Sequence, residues 1–149
     1  EMLWDIGAGS GAIGIEWLLA HPSTRCIGLE RDPARAARAR ANAARLGVDR
    51  LEIREGAALA LLPGLPDPQA VFLGGGAEAA LLSALWGRLP AGARIVAHAV
   101  TLETEALLAD WHGRCGGSLL RIELAEARPL GARRGWRASY PVVQWSVTR

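Results

Sequence analysis

The segment Leu3-Trp4-Asp5-Ile6-Gly7-Ala8-Gly9-Ser10-Gly11 decides the fold of this chain. Its apolar start predicts a short strand, and its glycines predict a sharp turn that leads into a helix. Glycine lets the backbone turn tightly and approach a ligand at points where a Cβ atom would collide. The amides at the start of the following helix then face that ligand. We therefore expect a nucleotide-type cofactor site at the carboxyl edge of a parallel sheet.

A second predicted strand, residues 26–30, ends in the carboxylate of Glu30, and a third, residues 51–54, leads into Glu55-Gly56-Ala57. A carboxylate at the tip of the neighbouring strand suits the hydroxyls of a ribose. Gly7, Gly9 and Ala12 loosely match the glycine pattern of dinucleotide-binding proteins, but this pattern alone is weak evidence for a cofactor site. Taken singly, each glycine also fits a turn without a ligand, and Glu30 also fits a solvated strand end. Their joint order favours a cofactor site.

The spelling Asp5-x-Gly7-x-Gly9-x-Gly11 resembles the first motif of class I S-adenosylmethionine-dependent methyltransferases. The resemblance implies an α/β fold with a Rossmann-like, doubly wound sheet that is mostly parallel and has an antiparallel last strand. It implies that Asp5 orders the loop, that Glu30 accepts hydrogen bonds from the ribose, and that the adenine lies beside Gly56. A nicotinamide-dependent enzyme is the competing interpretation. The predicted S-adenosylmethionine-binding residues are Asp5, Gly7, Gly9, Gly11, Glu30, Arg31, Gly56, Ala57 and Gly74.

Composition excludes several classes of protein. The chain has 149 residues, of which 50% are hydrophobic, and a formal net charge of +2, which gives no overall polycation for nucleic acid. Every basic residue is arginine, so Schiff-base chemistry on lysine is excluded. Cys26 and Cys115 are far apart and predict free thiols, with neither a disulfide scaffold nor a metal site. Neither a signal peptide nor a membrane-spanning run is visible, so we expect a cytoplasmic protein.

Strands and helices alternate along the chain, which predicts one domain over residues 1–149. The first helix is expected from about Ser10 to Ala20, with Ile13, Trp17 and Leu18 at helical spacing. Asp32 should cap the second helix, Pro33 should fit its first turn, and Gly47 should end it. The apolar stripe of that helix is predicted to be Ala34, Ala37, Ala41 and Ala44.

The end of the chain predicts two further strands, residues 118–127 and 142–147, separated by a basic loop, residues 133–137. The first strand begins within three residues of Glu1. Methyltransferases of this type usually carry a helical segment before that strand. We therefore expect the chain to be a fragment that lacks an N-terminal segment or domain.

The segment Phe72-Leu73-Gly74-Gly75-Gly76 follows the fourth predicted strand, where many methyltransferases carry an acid or an Asn-Pro-Pro-Tyr motif. A triple glycine instead offers backbone amides and open space for a large planar substrate, although a tight turn explains it equally well. Together with residues 96–104 and 127–137, this segment resembles the decarboxylating precorrin methyltransferases of cobalamin biosynthesis over essentially the whole chain. The resemblance implies methylation of a meso carbon, decarboxylation of an acetate side chain, and a homotetramer.

A precorrin is a tetrapyrrole that carries many carboxylates, and four arginines within ten residues can pair with such groups bidentately. A solvated loop is the simpler interpretation of these arginines. They could also bind phosphate, so an RNA or small-molecule methyltransferase stays an alternative, as does a non-catalytic S-adenosylmethionine-binding module. The predicted substrate-binding residues are Gly75, Gly76, Thr101, Arg128, Arg133, Arg134 and Arg137. The candidate proton donors are Glu103, His98 and Tyr140.

Overall fold

A computed structural model describes all residues, 1–149, and contains one large sheet with helices on both faces. The strands are β1 (Met2–Ile6), β2 (Arg25–Glu30), β3 (Leu51–Glu55), β4 (Ala70–Leu73), β5 (Arg94–Ala99), β6 (Ser118–Ile122), β7 (Ala125–Leu130), β8 (Arg133–Ala138) and β9 (Val142–Thr148). The helices are α1 (Ala12–Ala20), α2 (Pro33–Arg45), α3 (Ala58–Leu61), α4 (Ala79–Arg88) and α5 (Leu102–Cys115). A short 3-10 helix spans Leu62–Gly64.

Seven strands form the sheet in the order β3-β2-β1-β4-β5-β9-β6. β9 runs antiparallel to both β5 and β6, while β1 to β5 pair in parallel. This arrangement confirms the predicted doubly wound, mostly parallel sheet with an antiparallel last strand. The carboxyl ends of β1, β2, β4 and β5 therefore meet at one edge.

The central strands are buried on both faces, as is usual for parallel strands covered by helices. On one face, α4 and α5 cover a core that includes Trp4, Leu73 and Trp145. On the other face, α1 packs over a smaller cluster that includes Leu3 and Cys26. None of the helices is both long and apolar enough to cross a lipid bilayer.

The packed face of α2 differs from the predicted one. Ala36, Ala39 and Ala43 are buried, whereas Ala34, Ala37, Ala41 and Ala44 are exposed. Alanine occupies so many positions of this helix that two stripes fit equally well, and only tertiary packing chooses between them. A Cβ atom on Gly11 would lie 3.1 Å from the Cβ atom of Ala39, so the chosen stripe holds α2 closely against the glycine loop.

The predictions for α1 were partly wrong. The helix begins at Ala12, because Gly11 has a left-handed φ of 79° and acts as the N-cap. Leu18 is buried and Trp17 is half-buried, but Ile13 is 41% exposed. The inward face instead uses Gly14 and Ile15.

The last third of the chain contains a β-hairpin that was not predicted from the sequence. β6 ends at Ile122 rather than at residue 127, and the predicted basic loop is strand β8, paired with β7 in a separate two-stranded sheet. Gly131, with a φ of 59°, occupies the first central position of the two-residue turn. A glycine there is typical of a tight hairpin, and this was the available signal. Every residue of β7 is exposed.

Candidate functional site

The loop between β1 and α1 is shaped by glycines in left-handed backbone conformations. Gly7, Gly9 and Gly11 have φ values of 75°, 58° and 79°, which side chains rarely allow. The amides of Gly7 and Ala8 both donate to the carbonyl of Leu29, at 2.9 and 3.1 Å. These two hydrogen bonds tie the loop to the end of β2.

Asp5 is buried near the end of β1, just before this loop, with 1% of its surface exposed. Its Oδ2 accepts a hydrogen bond of 3.1 Å from the amide of Gly14, in the first turn of α1. Burial raises the pKa of Asp5 to about 6, the Gly14 hydrogen bond opposes that rise, and the charge of Glu30 adds to it. Asp5 therefore holds the first turn of α1 in place.

Glu30 joins the loop that follows β1 to the loop that follows β2. Its Oε2 accepts from the amide of Gly9 at 2.9 Å, and its Oε1 accepts from the amide of Asp32 at 3.0 Å. A carboxylate has about four lone-pair sites, so each oxygen keeps one for a ligand. The side chain is 5% exposed, however, so it acts as a clamp between loops as well as a candidate ribose acceptor.

The loops after β3 and β4 complete the site. The amide of Gly56 donates to the carbonyl of Glu30 at 3.0 Å, and the amide of Gly74 donates to the carbonyl of Ile6 at 3.1 Å. A Cβ atom on Gly7 would lie 3.3 Å from the carbonyl oxygen of Gly75, so the first and fourth loops approach closely because both lack side chains. Arg31 and Ala57 are exposed beside this group.

These features fit a nucleotide-type cofactor that carries a ribose. The glycine loop keeps backbone amides free of side chains, and a buried carboxylate stands at the tip of the adjacent strand. The structure thus brings together Asp5, Gly7, Gly9, Gly11, Glu30, Gly56 and Gly74 at the carboxyl edge of the sheet.

The four predicted substrate arginines do not form one cluster. Because side chains alternate along a strand, the register places Arg128, Arg133 and Arg137 on one face of the hairpin and Arg134 on the other, beside Trp136. Arg128 also pairs with Glu126 on its own strand at 2.6 Å. Ala127, Gly135 and Trp136 help to line a shallow depression of about 540 Å³ with two of these arginines.

The remaining predicted substrate residues lie in loops at the same edge. Thr101 is the N-cap of α5, where its hydroxyl oxygen accepts from the amide of Thr104 at 3.3 Å. Gly75 and Gly76 are exposed, and a Cβ atom at either position would meet nothing within 4 Å.

The three candidate proton donors occupy different environments. His98 is half-buried on β5, where Nε2 lies 2.9 Å from Oε1 of Gln144 and the ring meets Phe72 edge to face. Glu103 is exposed in the first turn of α5, and Tyr140 is 87% exposed before β9. Only His98 is held in place by a side-chain hydrogen bond.

Gly14 and Gln144 contact predicted site residues, Asp5 and His98 respectively, and neither was predicted from the sequence. A Cβ atom on Gly14 would lie 2.9 Å from the sulfur of Cys26 and 3.4 Å from Oδ2 of Asp5, so glycine makes room for both. A glycine inside a helix is unfavourable without such a packing reason, and this was the available signal. Burial, with the charge of Asp5 as a second cause, raises the pKa of the Cys26 thiol, which is free as predicted.

Comparison with known proteins decides the family. The family model described as "Precorrin methyltransferase domain" matches residues 1–149. The chain belongs to the precorrin methyltransferase domain family. Its Rossmann-like methyltransferase fold and the resemblance read from its motifs are confirmed.

Individual relatives of this precorrin methyltransferase domain agree with the assignment. The chain is 51% identical over 150 aligned positions to the precorrin-6Y C(5,15)-methyltransferase [decarboxylating] of Sinorhizobium sp, and spans 36% of that protein's length. It is 33% identical to the cobalt-precorrin-6B C(15)-methyltransferase (decarboxylating) of Salmonella typhimurium, covering 94% of this chain and 74% of that one. The crystal structure of the C-terminal domain of precorrin-6Y C5,15-methyltransferase from Rhodobacter capsulatus matches with a TM-score of 0.96 and 49% identity, covering all of this chain and 80% of that one.

Proposed function

We propose that this domain methylates a meso carbon of a precorrin with S-adenosylmethionine and decarboxylates an acetate side chain, within cobalamin biosynthesis. One observation carries the proposal: a glycine loop tied to the buried carboxylate of Glu30, in a chain that matches its family from end to end. The relatives named for this reaction support the choice of substrate. A cytoplasmic location belongs to the same proposal.

The residues at the carboxyl edge fit S-adenosylmethionine. When bound, this cofactor supplies a methyl group activated by a positively charged sulfur. Asp5 holds the start of α1, so the loop of Gly7, Gly9 and Gly11 keeps its shape, and its lack of side chains would let the methionine portion approach the backbone closely. Glu30 uses its remaining lone pairs for the ribose, with Arg31 beside it. Gly56 and Ala57 border the adenine, and Gly74 closes the other side.

The chain's other residues bind and orient the acceptor. Gly75 and Gly76 leave open space for the ring, Thr101 lies at its edge, and the hairpin arginines pair with peripheral carboxylates. The attacking carbon is electron-rich, so positioning and exclusion of water matter more than a strong base.

Decarboxylation leaves an electron pair that passes into the conjugated ring, which then takes up a proton. Glu103, His98 and Tyr140 are the proposed donors of that proton. Because His98 is oriented by Gln144, it is the best positioned of the three.

Mass spectrometry of a precorrin incubated with the protein and S-adenosylmethionine tests the proposal. Gain of one methyl group with loss of one carbon dioxide supports both reactions in this domain. Gain of a methyl group alone places decarboxylation elsewhere. An unchanged precorrin, with the cofactor demonstrably bound, contradicts the proposal.

We also propose that the domain works as a homotetramer. An isolated two-stranded hairpin is marginally stable in water, and here β7 is wholly exposed while Trp136 on β8 is 80% exposed. Burial of the hairpin between copies of the chain would stabilise it. Light scattering of the purified protein checks the assembly, and a monomer at all concentrations would contradict it.

A further inference from the structure

Three large apolar side chains lie exposed just beyond the carboxyl ends of β5 and β6. Val100, Leu102 and Leu124 are 63%, 80% and 67% exposed, and we call them the apolar rim. Only β9 separates these strand ends, which places them about 10 Å apart at adjacent-strand spacing. β4 ends beside β5 at the same edge, so the rim continues from the open loop of Gly75 and Gly76.

Local structure does not explain the rim. Val100 precedes the N-cap Thr101, a position where an apolar residue often packs against the fourth residue of the helix. That fourth residue is Glu105, so no such packing partner is present. Leu102 opens α5 with its side chain in solvent, and Leu124 contributes only its carbonyl, which accepts from the amide of Ser139 at 2.9 Å.

We propose that the apolar rim binds the flat face of the tetrapyrrole ring and so selects a macrocyclic acceptor. The inference rests on the proposed function and assigns new residues to it. Exposed apolar patches rimmed by polar groups mark binding surfaces. Leu124 directly precedes the hairpin that carries the arginines, and the loop of Gly75 and Gly76 follows β4, the neighbour of β5 in the sheet. A ring with an apolar face and an acidic periphery matches that combination of surfaces.

Two substitutions test the apolar rim, because asparagine has the same number of side-chain heavy atoms as leucine and the same branching, but lacks its apolar character. Leu102→Asn and Leu124→Asn are each expected to weaken tetrapyrrole binding about tenfold. The readouts are the Kd of uroporphyrin, a stable tetrapyrrole with many carboxylates, and the KM for the precorrin. Because both side chains are exposed, melting temperature and S-adenosylmethionine affinity should match those of the wild-type protein.

Leu46→Asn is the matched control. Leu46 is 53% exposed and follows α2, whose carboxyl end lies at the opposite edge of the sheet, so tetrapyrrole binding should be unchanged. If both rim variants bind tetrapyrrole with wild-type affinity, the proposed role of the apolar rim is wrong, while the proposed function stands. A change of assembly state in light scattering with unaltered affinity also overturns it and assigns these side chains to a subunit contact. If the wild-type protein binds neither uroporphyrin nor the precorrin, both the role of the apolar rim and the proposed function are wrong.

Discussion

Two buried carboxylates stabilise the glycine loop in different ways. Asp5 holds one amide of α1 inside the domain, while Glu30 holds one amide from each of two loops near the surface of the cleft. Burial is the largest influence on the pKa of Asp5 and raises it. The two residues therefore predict different consequences when they are replaced.

Replacement of Asp5 should change how stability depends on pH. The pKa of Asp5 rises from 3.8 to about 6 on folding, so its ionisation disfavours the folded state. The stabilisation present below pH 3.8 is lost as pH rises through about 6, a change of about 3 kcal/mol. Urea unfolding of wild-type protein and Asp5→Asn should give a stability difference that shifts in favour of the variant by most of that amount between about pH 4 and 7.

The exposed Asp49→Asn variant controls for the loss of one negative charge. A difference between Asp5→Asn and wild type that stays constant over the same pH range would contradict the raised pKa.

Replacement of Glu30 should weaken both cofactor binding and folding. Glu30→Ala leaves the amides of Gly9 and Asp32 without their acceptor, which costs about 1–3 kcal/mol of stability. Calorimetric titration should show S-adenosylmethionine binding at least tenfold weaker, because a ribose acceptor is lost as well.

Glu52→Ala is the matched control, since Glu52 is an exposed glutamate on β3 that pairs with Arg54. Loss of stability in Glu30→Ala with unaltered cofactor affinity would show that Glu30 clamps the loops but does not bind the ribose.

Among the helices, α2 depends on a cap that the sequence predicted. Oδ1 of Asp32 accepts from the amides of Ala34 and Arg35 at 2.8 and 3.0 Å, and these bonds, Arg35 first, lower its pKa. Asp32→Ala should lower the free energy of unfolding at neutral pH, as loss of a helix N-cap does, and urea unfolding measures this change. Because the pKa of Asp32 is lowered, the effect should fade as the solution is acidified. An effect that persists after full protonation would contradict capping by the carboxylate.

The bounds of helices could be predicted from the sequence where capping residues and glycines mark their ends. Asp32 caps α2 and Pro33 lies in its first turn, as predicted, and Gly47, with a left-handed φ of 67°, follows its end. The buried stripe of α2 did not follow, because a helix rich in alanine carries almost no directional apolar signal. The hairpin of β7 and β8 was missed because its residues are exposed, so no alternation of apolar and polar side chains marks it.

For the molecule as a whole, strand order explains why distant residues share one site. β1 pairs with both β2 and β4, so the loops that follow these strands meet although they are far apart in sequence. The positions of Asp5, Glu30 and Gly74 could be predicted from this topology alone. The hydrogen bonds of Glu30 to two backbone amides could not, because they depend on the close approach of loops that lack side chains.

Amide chemical shifts recorded by NMR during a titration with S-adenosylmethionine would locate the cofactor directly. We expect the largest shifts at the amides of Gly7, Gly9, Gly11, Gly56 and Gly74, with small ones at the opposite edge of the sheet around Leu46. Shifts centred on the hairpin, or spread away from the glycine loop, would contradict the placement of the cofactor at the carboxyl edge.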